Sequence, residues 1–262
     1  MISILTPTYN RSYTLERLFD SLVAQNDQDF EWVIVDDGSN DNTKELVNSL
    51  KAKNKICIHY YYKENNGKPM ALNLGAKKCN GDFIFIVDSD DMLTNDAVLS
   101  IKQSISNASK EGKSISGVGF RKAYFSGDII GERIETGEET TVYLNSSEAA
   151  NMLRGDLAYC FTKKHFLAYP FPSFSNEKFV PELYIWNKIT DEDKIRFNVS
   201  KIIYLCEYLD DGLSKNFHSL LKKSPKGFKL FYFDQFKREK YFIKKIKMAL
   251  RYLQCSLYEK LK

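Results

Sequence analysis

The chain has 262 residues, 43% of them hydrophobic, which suits one globular domain with an extension and a substantial buried core. The formal net charge is only +4, and no nucleic-acid-binding motif accompanies the basic residues, which argues against a nucleic-acid partner. Five cysteines without a C-x-x-C pair indicate a reducing, cytoplasmic compartment, and we find neither a signal peptide nor an apolar run of roughly 18 residues, the length of a membrane span.

Hydrophobic periodicity divides the first half of the chain into short apolar strands and amphipathic helices. The predicted strands cover residues 2–5, 30–35 and 83–87. The predicted helices cover residues 13–24, a segment that ends at Leu50, a segment that opens near Pro69, and residues 93–104.

Two of these strands run directly into carboxylates. Asp36 and Asp37 follow the second strand, and the third is followed by Asp88, Ser89, Asp90 and Asp91. Ligands collect at the carboxyl ends of strands in an open parallel sheet, and crowded carboxylates repel each other unless a cation lies among them. The second cluster therefore suits Mn²⁺ or Mg²⁺ bound together with phosphate oxygens. The alternative interpretation is that these acids only cap helices and shape turns.

A turn that opens a helix lies between the two acidic strand ends. It carries Lys68, which could hold a phosphate group at this position, although a solvated surface lysine is the alternative. The turn lacks the second glycine and the Lys-Ser/Thr pair of a Walker A loop, and no G-x-G-x-x-G follows a strand. These absences argue against a nicotinamide or flavin enzyme.

Five short motifs occur in a fixed order over residues 1–95. They are Thr-Pro-Thr-Tyr-Asn at 6–10, Val-Asp-Asp-Gly-Ser at 35–39, Asn-Asn-Gly-Lys at 65–68 with Ala-Leu-Asn at 71–73, Gly-Asp at 81–82 and Val-Asp-Ser-Asp-Asp at 87–91. Together they resemble the nucleotide-sugar half of a family 2 glycosyltransferase. The resemblance implies an α/β GT-A fold, with a Rossmann-like mixed central sheet flanked by helices.

The resemblance also implies a reaction. A family member of this kind moves a sugar, with inversion, from a nucleotide sugar, usually UDP-linked, to a hydroxyl of a saccharide or lipid-linked saccharide acceptor. The family-level expectation is synthesis of a bacterial surface polysaccharide. Two alternatives remain open, which are a sugar-phosphate nucleotidyltransferase and a non-catalytic sugar-nucleotide-binding protein.

The resemblance assigns donor and metal contacts residue by residue. The nucleotide would lie against Pro7, Thr8 and Tyr9, its base on Asp37 beside Asp36, and its ribose or base near Asn65. Lys68 would hold the pyrophosphate, since Leu72 stands where many relatives carry an arginine. The D-x-D motif falls on Asp88, Ser89 and Asp90, with Asp90 as the direct metal ligand and Asp88 nearer the ribose or a metal-bound water.

From about residue 112 the pattern changes to strands and short helices. The predicted strands are 114–125, 129–135, 158–161 and 202–206, the predicted helices are 145–154 and 163–168, and a polar loop begins at Gly137. Asp211 follows the last of these strands, and the resemblance makes it a possible third metal ligand.

An inverting family member needs a carboxylate that removes the proton of the acceptor hydroxyl. The usual Glu-Asp pair is absent, and Glu177 and Glu182 compete for the role. We assign the base to Glu182, which opens a predicted helix, and a supporting or acceptor contact to Glu177. The alternative for each is a charge that complements a helix dipole. Trp186 has helical spacing with Leu183 and Ile189, which predicts a core position.

We expect a catalytic domain over residues 1–214, with a donor half at 1–110 and an acceptor half at 111–214, followed by a basic helical tail at 215–262. The tail contains fourteen Lys and Arg against three Asp and Glu. Large apolar residues recur along one helical face at Phe242, Ile246, Leu250, Leu253, Leu257 and Leu261. Such a helix either lies on an anionic membrane surface or docks on the catalytic domain, and the two are compatible.

Overall fold

A computed structural model of the protein describes residues 1–134, 140–209, 212 and 216–261. The strands are β1 Ile2–Thr8, β2 Phe30–Asp36, β3 Cys57–Tyr62, β4 Phe83–Ile86, β5 Met92–Leu93, β6 Gly117–Tyr124, β7 Thr141–Leu144, β8 Leu157–Thr162 and β9 Ile195–Cys206. The helices are α1 Ser12–Val23, α2 Thr43–Ala52, α3 Lys68–Lys78, α4 Ala97–Lys110, α5 Ser146–Leu153, α6 Lys163–Ala168, α7 Glu182–Glu192, α8 Phe217–Lys223, α9 Pro225–Arg238 and α10 Phe242–Lys260.

The strands form one mixed sheet in the order β3-β2-β1-β4-β8-β6-β9-β5, with β7 paired to β9. The pairs among β1 to β4 are parallel, and β8 joins β4 and β6 in antiparallel orientation. Parallel pairing requires crossover connections, which α1, α2 and α3 provide in the chain between these strands. The predicted Rossmann-like mixed sheet flanked by helices is therefore confirmed.

Hydrophobic residues pack on both faces of the sheet. All seven residues of β1 are buried, and its successive side chains point to opposite faces, so Ile4 joins one core cluster and Leu5 the other. α1 and α4 cover the first face, while α3 and α7 cover the second. Trp186 on α7 is only 4% exposed and contacts the Phe161 ring at 4.8 Å between centroids, which confirms its predicted core position.

Two predicted strands of the second half differ from the structure. Residues 130–134 form no strand, Ile129 makes a single bridge to Ala123, and Glu135 and the predicted loop at Gly137 lie outside the described residues. The reason is the buried Arg121 guanidinium, which donates to the Ile130 and Glu132 carbonyl oxygens at 2.9 and 2.7 Å and so takes the place of strand partners. The last strand, β9, begins at Ile195 rather than at residue 202.

The tail contains more than the single predicted helix. α8, α9 and α10 pack around Leu221, Phe228, Tyr232 and Cys255, which are all buried. α9 also contacts α7, a helix that packs on the central sheet. Within the described part of the chain, no helix combines the length and the apolar character needed to cross a membrane.

Candidate active site at the strand ends

The carboxyl ends of β1, β2 and β4 meet at one edge of the sheet. Thr8 is paired in register with Asp36, and the Val87 amide donates to the Leu5 carbonyl oxygen at 3.0 Å. This pairing brings the loop after β1 and both acidic strand ends to one edge. The sequence motifs that lie far apart along the chain are therefore neighbours in the fold.

Lys68 links three elements in a charged cluster. Its Nζ lies 2.6 Å from Asp88 Oδ1 and 2.7 Å from Glu182 Oε1. Burial acts to lower the pKa of Lys68, but the charges of Asp88 and Glu182 outweigh this effect and raise it above the usual range. The first turn of α3, the end of β4 and the first turn of α7 are thus joined through one ammonium group.

The other two aspartates of the second acidic cluster have different surroundings. The Tyr204 hydroxyl accepts from the Asp88 amide at 2.9 Å and donates to Asp91 Oδ2 at 2.6 Å, so Asp91 anchors the loop to β9. Burial raises the pKa of Asp91 to about 7. Burial and the charge of Asp88 also raise the pKa of Asp90, whose Oδ2 lies 4.0 Å from Arg11 Nε.

Asp36 and Asp37 are buried and form hydrogen bonds with β3 and with neighbouring loops. Asp36 accepts from the Tyr60 hydroxyl at 2.6 Å and from the Ser39 amide at 2.8 Å. Asp37 accepts from Lys63 Nζ at 2.5 Å and from the Gly67 amide at 2.7 Å. The bonds of Asp37 fix the loop that precedes Lys68, and the base contact assigned to Asp37 stays a prediction.

The loop before Lys68 packs closely on the chain segment that leads to α7. Gly67 has a φ of +91°, and a Cβ at this position would lie 1.8 Å from the Lys178 carbonyl oxygen. Asn65 Oδ1 accepts from Lys178 Nζ at 2.8 Å. Only glycine fits this close approach, which sets the distance between the two halves of the site.

The structure separates the two candidate bases. Glu182 lies in the Lys68 cluster, as described above. Glu177 instead accepts from the backbone amides of Lys226 and Gly227, each at 3.1 Å, at the first turn of α9. The carboxylate of Glu177 therefore caps a tail helix, in line with the helix-dipole alternative.

The remaining donor candidates line the same edge of the sheet. Pro7, Thr8 and Ser89 are buried, whereas the Tyr9 side chain is 45% exposed. Thr8 Oγ1 is buried and has no hydrogen-bond partner among the described residues. A buried hydroxyl without a partner is costly, so this atom is suited to bind a ligand group.

A metal site is only partly defined by protein groups. Within residues 1–134, 140–209, 212 and 216–261, no three His, Cys, Asp or Glu side chains are grouped to hold a metal ion. Asp211 lies outside the described residues. Asp88 and Asp90 are the two carboxylates of the D-x-D motif, and phosphate oxygens of a ligand would have to complete the coordination of a metal ion there.

Sequence reasoning did not identify several charged residues around this site. Arg17 donates to the main-chain oxygen of Asp90 and pairs with Glu207 at 3.0 Å, and Lys122 lies 3.9 Å above the Tyr204 ring. Arg11 directly follows the Thr-Pro-Thr-Tyr-Asn motif, so its position was a usable signal. Lys122 had none, because β6 is distant from the motifs in the sequence.

Comparison with known proteins identifies the family. The family described as "Glycosyl transferase family 2" matches residues 3–167. Poly-beta-1,6-N-acetyl-D-glucosamine synthase of Staphylococcus aureus is 36% identical over 96 residues, which are 37% of this chain and 23% of that protein. The chain spans well under half the length of the curated relatives it matches.

Solved structures show the fold. TarS residues 1–349 of Staphylococcus aureus, in complex with UDP-GlcNAc, superpose with a TM-score of 0.68 at 18% identity, covering 97% of this chain and 72% of that one. A mannosyltransferase of Pyrobaculum calidifontis, in complex with GDP-Man and Mn²⁺, gives a TM-score of 0.59 at 16% identity over 98% and 73% of the chains. The GT-A fold is thus confirmed, and the chain belongs to glycosyl transferase family 2.

Proposed function

We propose that this protein is an inverting glycosyltransferase that moves a sugar from a UDP-linked donor to a hydroxyl of a saccharide or lipid-linked saccharide. The observation that carries the proposal is the contact of Lys68 with both Asp88 and Glu182. A cation for phosphate, a D-x-D carboxylate and a general base come from three separate elements and meet at the strand ends. Relatives that make a polysaccharide or bind UDP-GlcNAc support this class of reaction.

The donor nucleotide would occupy the edge of β1 and β2. The buried Thr8 hydroxyl supplies a hydrogen-bonding group without a partner in the described chain, and Tyr9 presents an exposed ring. Asp36 and Asp37 border the same edge, and Asp37 holds the loop that leads to Lys68 through the Asn66 and Gly67 amides. The exposed ring and the buried hydroxyl suit a nucleoside, which has one flat face and polar edges.

A divalent cation, Mn²⁺ or Mg²⁺, fits the chemistry of Asp88 and Asp90. Both carboxylates are hard oxygen donors. Burial and the charge of Asp88 raise the pKa of Asp90, which means that the ionised form of Asp90 is destabilised. A nearby cation would offset this repulsion and stabilise the ionised pair. A bound divalent ion neutralises the charge that develops on a departing diphosphate. Structurally similar proteins crystallised with Mn²⁺ support a divalent cation at this position.

Glu182 would accept the proton of the acceptor hydroxyl. As that oxygen forms its bond to the anomeric carbon, the bond from this carbon to the diphosphate oxygen breaks and the diphosphate leaves. The configuration at the anomeric carbon is inverted in this single displacement. Lys68 shares its charge between Asp88 and Glu182, so a diphosphate that takes up Lys68 loosens its contact with Glu182. Donor binding and exposure of the base are therefore coupled through one side chain.

The first test removes the metal ligand. Asp90→Ala in the full chain should lower transfer from a panel of UDP-sugars by at least about a hundredfold, because charge on the leaving group is no longer neutralised. Asp128→Ala, at an exposed turn, is the control, and thermal unfolding checks that both variants are folded. Near-normal turnover of Asp90→Ala, or full wild-type activity in chelator, would overturn the metal assignment. Release of pyrophosphate from UTP and a sugar phosphate would instead indicate a nucleotidyltransferase.

The second test distinguishes the two candidate bases. Glu182→Gln should lower kcat by about 10²–10⁴-fold, because the amide cannot accept the proton. It should not weaken UDP binding, because the neutral amide no longer competes with the diphosphate for Lys68. Glu177→Gln should leave kcat within a few-fold and lower the melting temperature, because it weakens the cap on α9. The reverse pattern, with kcat lost only in Glu177→Gln, would move the base to Glu177.

A further inference from the structure

α10 presents an unbroken apolar face to solvent. Seven large side chains, six on this face of α10 and one on the residue that follows it, are between 45% and 83% exposed. They are Phe242, Ile243, Ile246, Leu250, Leu253, Leu257 and Leu261, here called the apolar stripe. The opposite face of α10 packs on α8 and α9 through Met248, Tyr252, Cys255 and Tyr258. The helix therefore already has its intramolecular partner, and the apolar stripe is left over.

The hairpin of α9 and α10 is fixed to the catalytic domain. Arg238 on α9 forms two hydrogen bonds to the Asp191 carboxylate of α7, at 2.6 and 2.5 Å, and Glu177 caps the first turn of α9. α10 then packs along α9. The apolar stripe is thus held in a defined position on the folded protein rather than on a detached helix.

The charges around the apolar stripe are almost all positive. Residues 240–261 contain six cations, at Lys240, Lys244, Lys245, Lys247, Arg251 and Lys260. The single acid in this segment, Glu259, is paired with Lys229 at 2.9 Å. A second copy of α10 on the stripe would place lysines opposite lysines, and the single acid of α10, Glu259, is already paired with Lys229. A partner with an apolar interior and anionic surface groups would match both the apolar stripe and the cations beside it.

We propose that α10 binds an anionic lipid bilayer, lying in the plane of the interface with the apolar stripe among the acyl chains. The lysine stems would extend along the helix and place their ammonium groups among the phosphates. Each cation near an anionic surface adds electrostatic attraction, and each leucine buried among the acyl chains adds hydrophobic stabilisation. This binding is independent of the proposed transfer reaction, and it would bring the site to a lipid-linked acceptor.

The test is co-sedimentation of the full chain with vesicles. We expect binding to vesicles of equal parts phosphatidylcholine and phosphatidylglycerol, weak binding to pure phosphatidylcholine, and release at high salt. The triple variant Leu250→Ser, Leu253→Ser and Leu257→Ser should weaken binding at least about tenfold. The double variant Met152→Ser and Leu167→Ser, at exposed apolar positions outside the tail, is its control.

A charge variant tests the electrostatic contribution to vesicle binding. Lys245→Gln with Lys247→Gln should weaken binding to the anionic vesicles, whereas Lys51→Gln with Lys55→Gln, on the exposed surface of the catalytic domain, should not. Unchanged binding in the triple leucine variant, or equal binding to neutral vesicles, would overturn the proposal. The proposal would also be overturned if the wild type did not bind vesicles but formed a dimer in light scattering, and the triple variant were a monomer. Transfer to a short water-soluble acceptor should be unchanged in these variants, which separates this result from failure of the proposed reaction.

Discussion

Glu31 shows how a single buried residue fixes the geometry of the sheet. The residue is only 2% exposed, and its carboxylate lies beside the start of β4, where it accepts from Ser3 Oγ at 2.5 Å and from Asn80 Nδ2 at 2.8 Å. The Gly81 amide and His59 are also in contact. These bonds join β1, β2 and the turn before β4. The candidate site lies at the carboxyl ends of these three strands.

The pH dependence of stability should reflect this residue. Burial acts to raise the pKa of Glu31, but the hydrogen bonds from Ser3 and Asn80 outweigh it and hold the pKa below the ordinary 4.5. A depressed pKa in the folded state stabilises the protein above pH 4.5, and this contribution is lost as the pH falls below it. Urea unfolding across roughly pH 3 to 7 should show about 1–3 kcal/mol of this loss in the wild type and a flatter curve in Glu31→Gln.

Glu45→Gln, at an exposed position on α2, provides the control for the Glu31 prediction. It should leave the slope of stability against pH close to that of the wild type. If Glu31→Gln kept the full wild-type slope, the dependence would arise from other carboxylates.

At the level of elements, the site depends on how the loop before α3 meets the segment before α7. Asp37 holds this loop through the Gly67 amide, and Lys178 packs its carbonyl oxygen against Gly67. The contact determines how far Lys68, at the first turn of α3, lies from Glu182, at the first turn of α7. Neither helix alone defines the site.

Gly67→Ala should therefore cost both stability and activity. The positive φ alone costs about 1–2 kcal/mol, and the clash with the Lys178 oxygen must push the two segments apart. Gly127→Ala is a matched control, because Gly127 has a φ of +89° and a methyl group there would meet no atom within 4 Å. We expect Gly127→Ala to show the strain cost only in urea unfolding, with unchanged initial rates. Equal losses in the two variants would show that the Lys178 contact has no special weight.

For the molecule as a whole, Arg238 joins the helices of the tail to α7. It forms the two bonds to Asp191 and donates from Nε to Asp234 at 2.6 Å, and Asp234 is itself mostly buried. The hydrogen bonds to these carboxylates raise the pKa of Arg238 above its usual range, so it stays charged. The planar guanidinium group binds a carboxylate through two parallel hydrogen bonds, so it fixes the relative orientation of the two helices more strictly than a surface lysine would.

Arg238→Met should loosen the α9–α10 hairpin from α7 while leaving the central sheet intact. Removing the cation leaves Asp234 with Lys188 at 3.9 Å as its remaining ion-pair contact among the described residues. Hydrogen exchange of α9 should become faster, by an amount that corresponds to about 1–2 kcal/mol of local stability. Arg154→Met removes an exposed pair with Glu132 and should change exchange little. Unchanged protection of α9 in Arg238→Met would contradict this role.

The sequence alone determined the features that depend on neighbours in the chain. An apolar run followed by Asp88 and Asp90 marks a strand end wherever the strand is placed, and the motif order over residues 1–95 was sufficient for the fold and the family. The start of β9 was missed although Ile195, Phe197 and Val199 alternate with polar residues, so this error was avoidable.

Only the tertiary structure decided the features that depend on contacts between distant segments. The sequence offered both Glu177 and Glu182 as bases, and long-range contacts placed the first at the start of α9 and the second against Lys68. The apolar spacing of α10 predicted a helix, but it could not say which face would pack, because Cys255 is buried while Leu253 and Leu257 are exposed. Helical periodicity records that a face is apolar, whereas burial depends on which other elements the fold brings beside it.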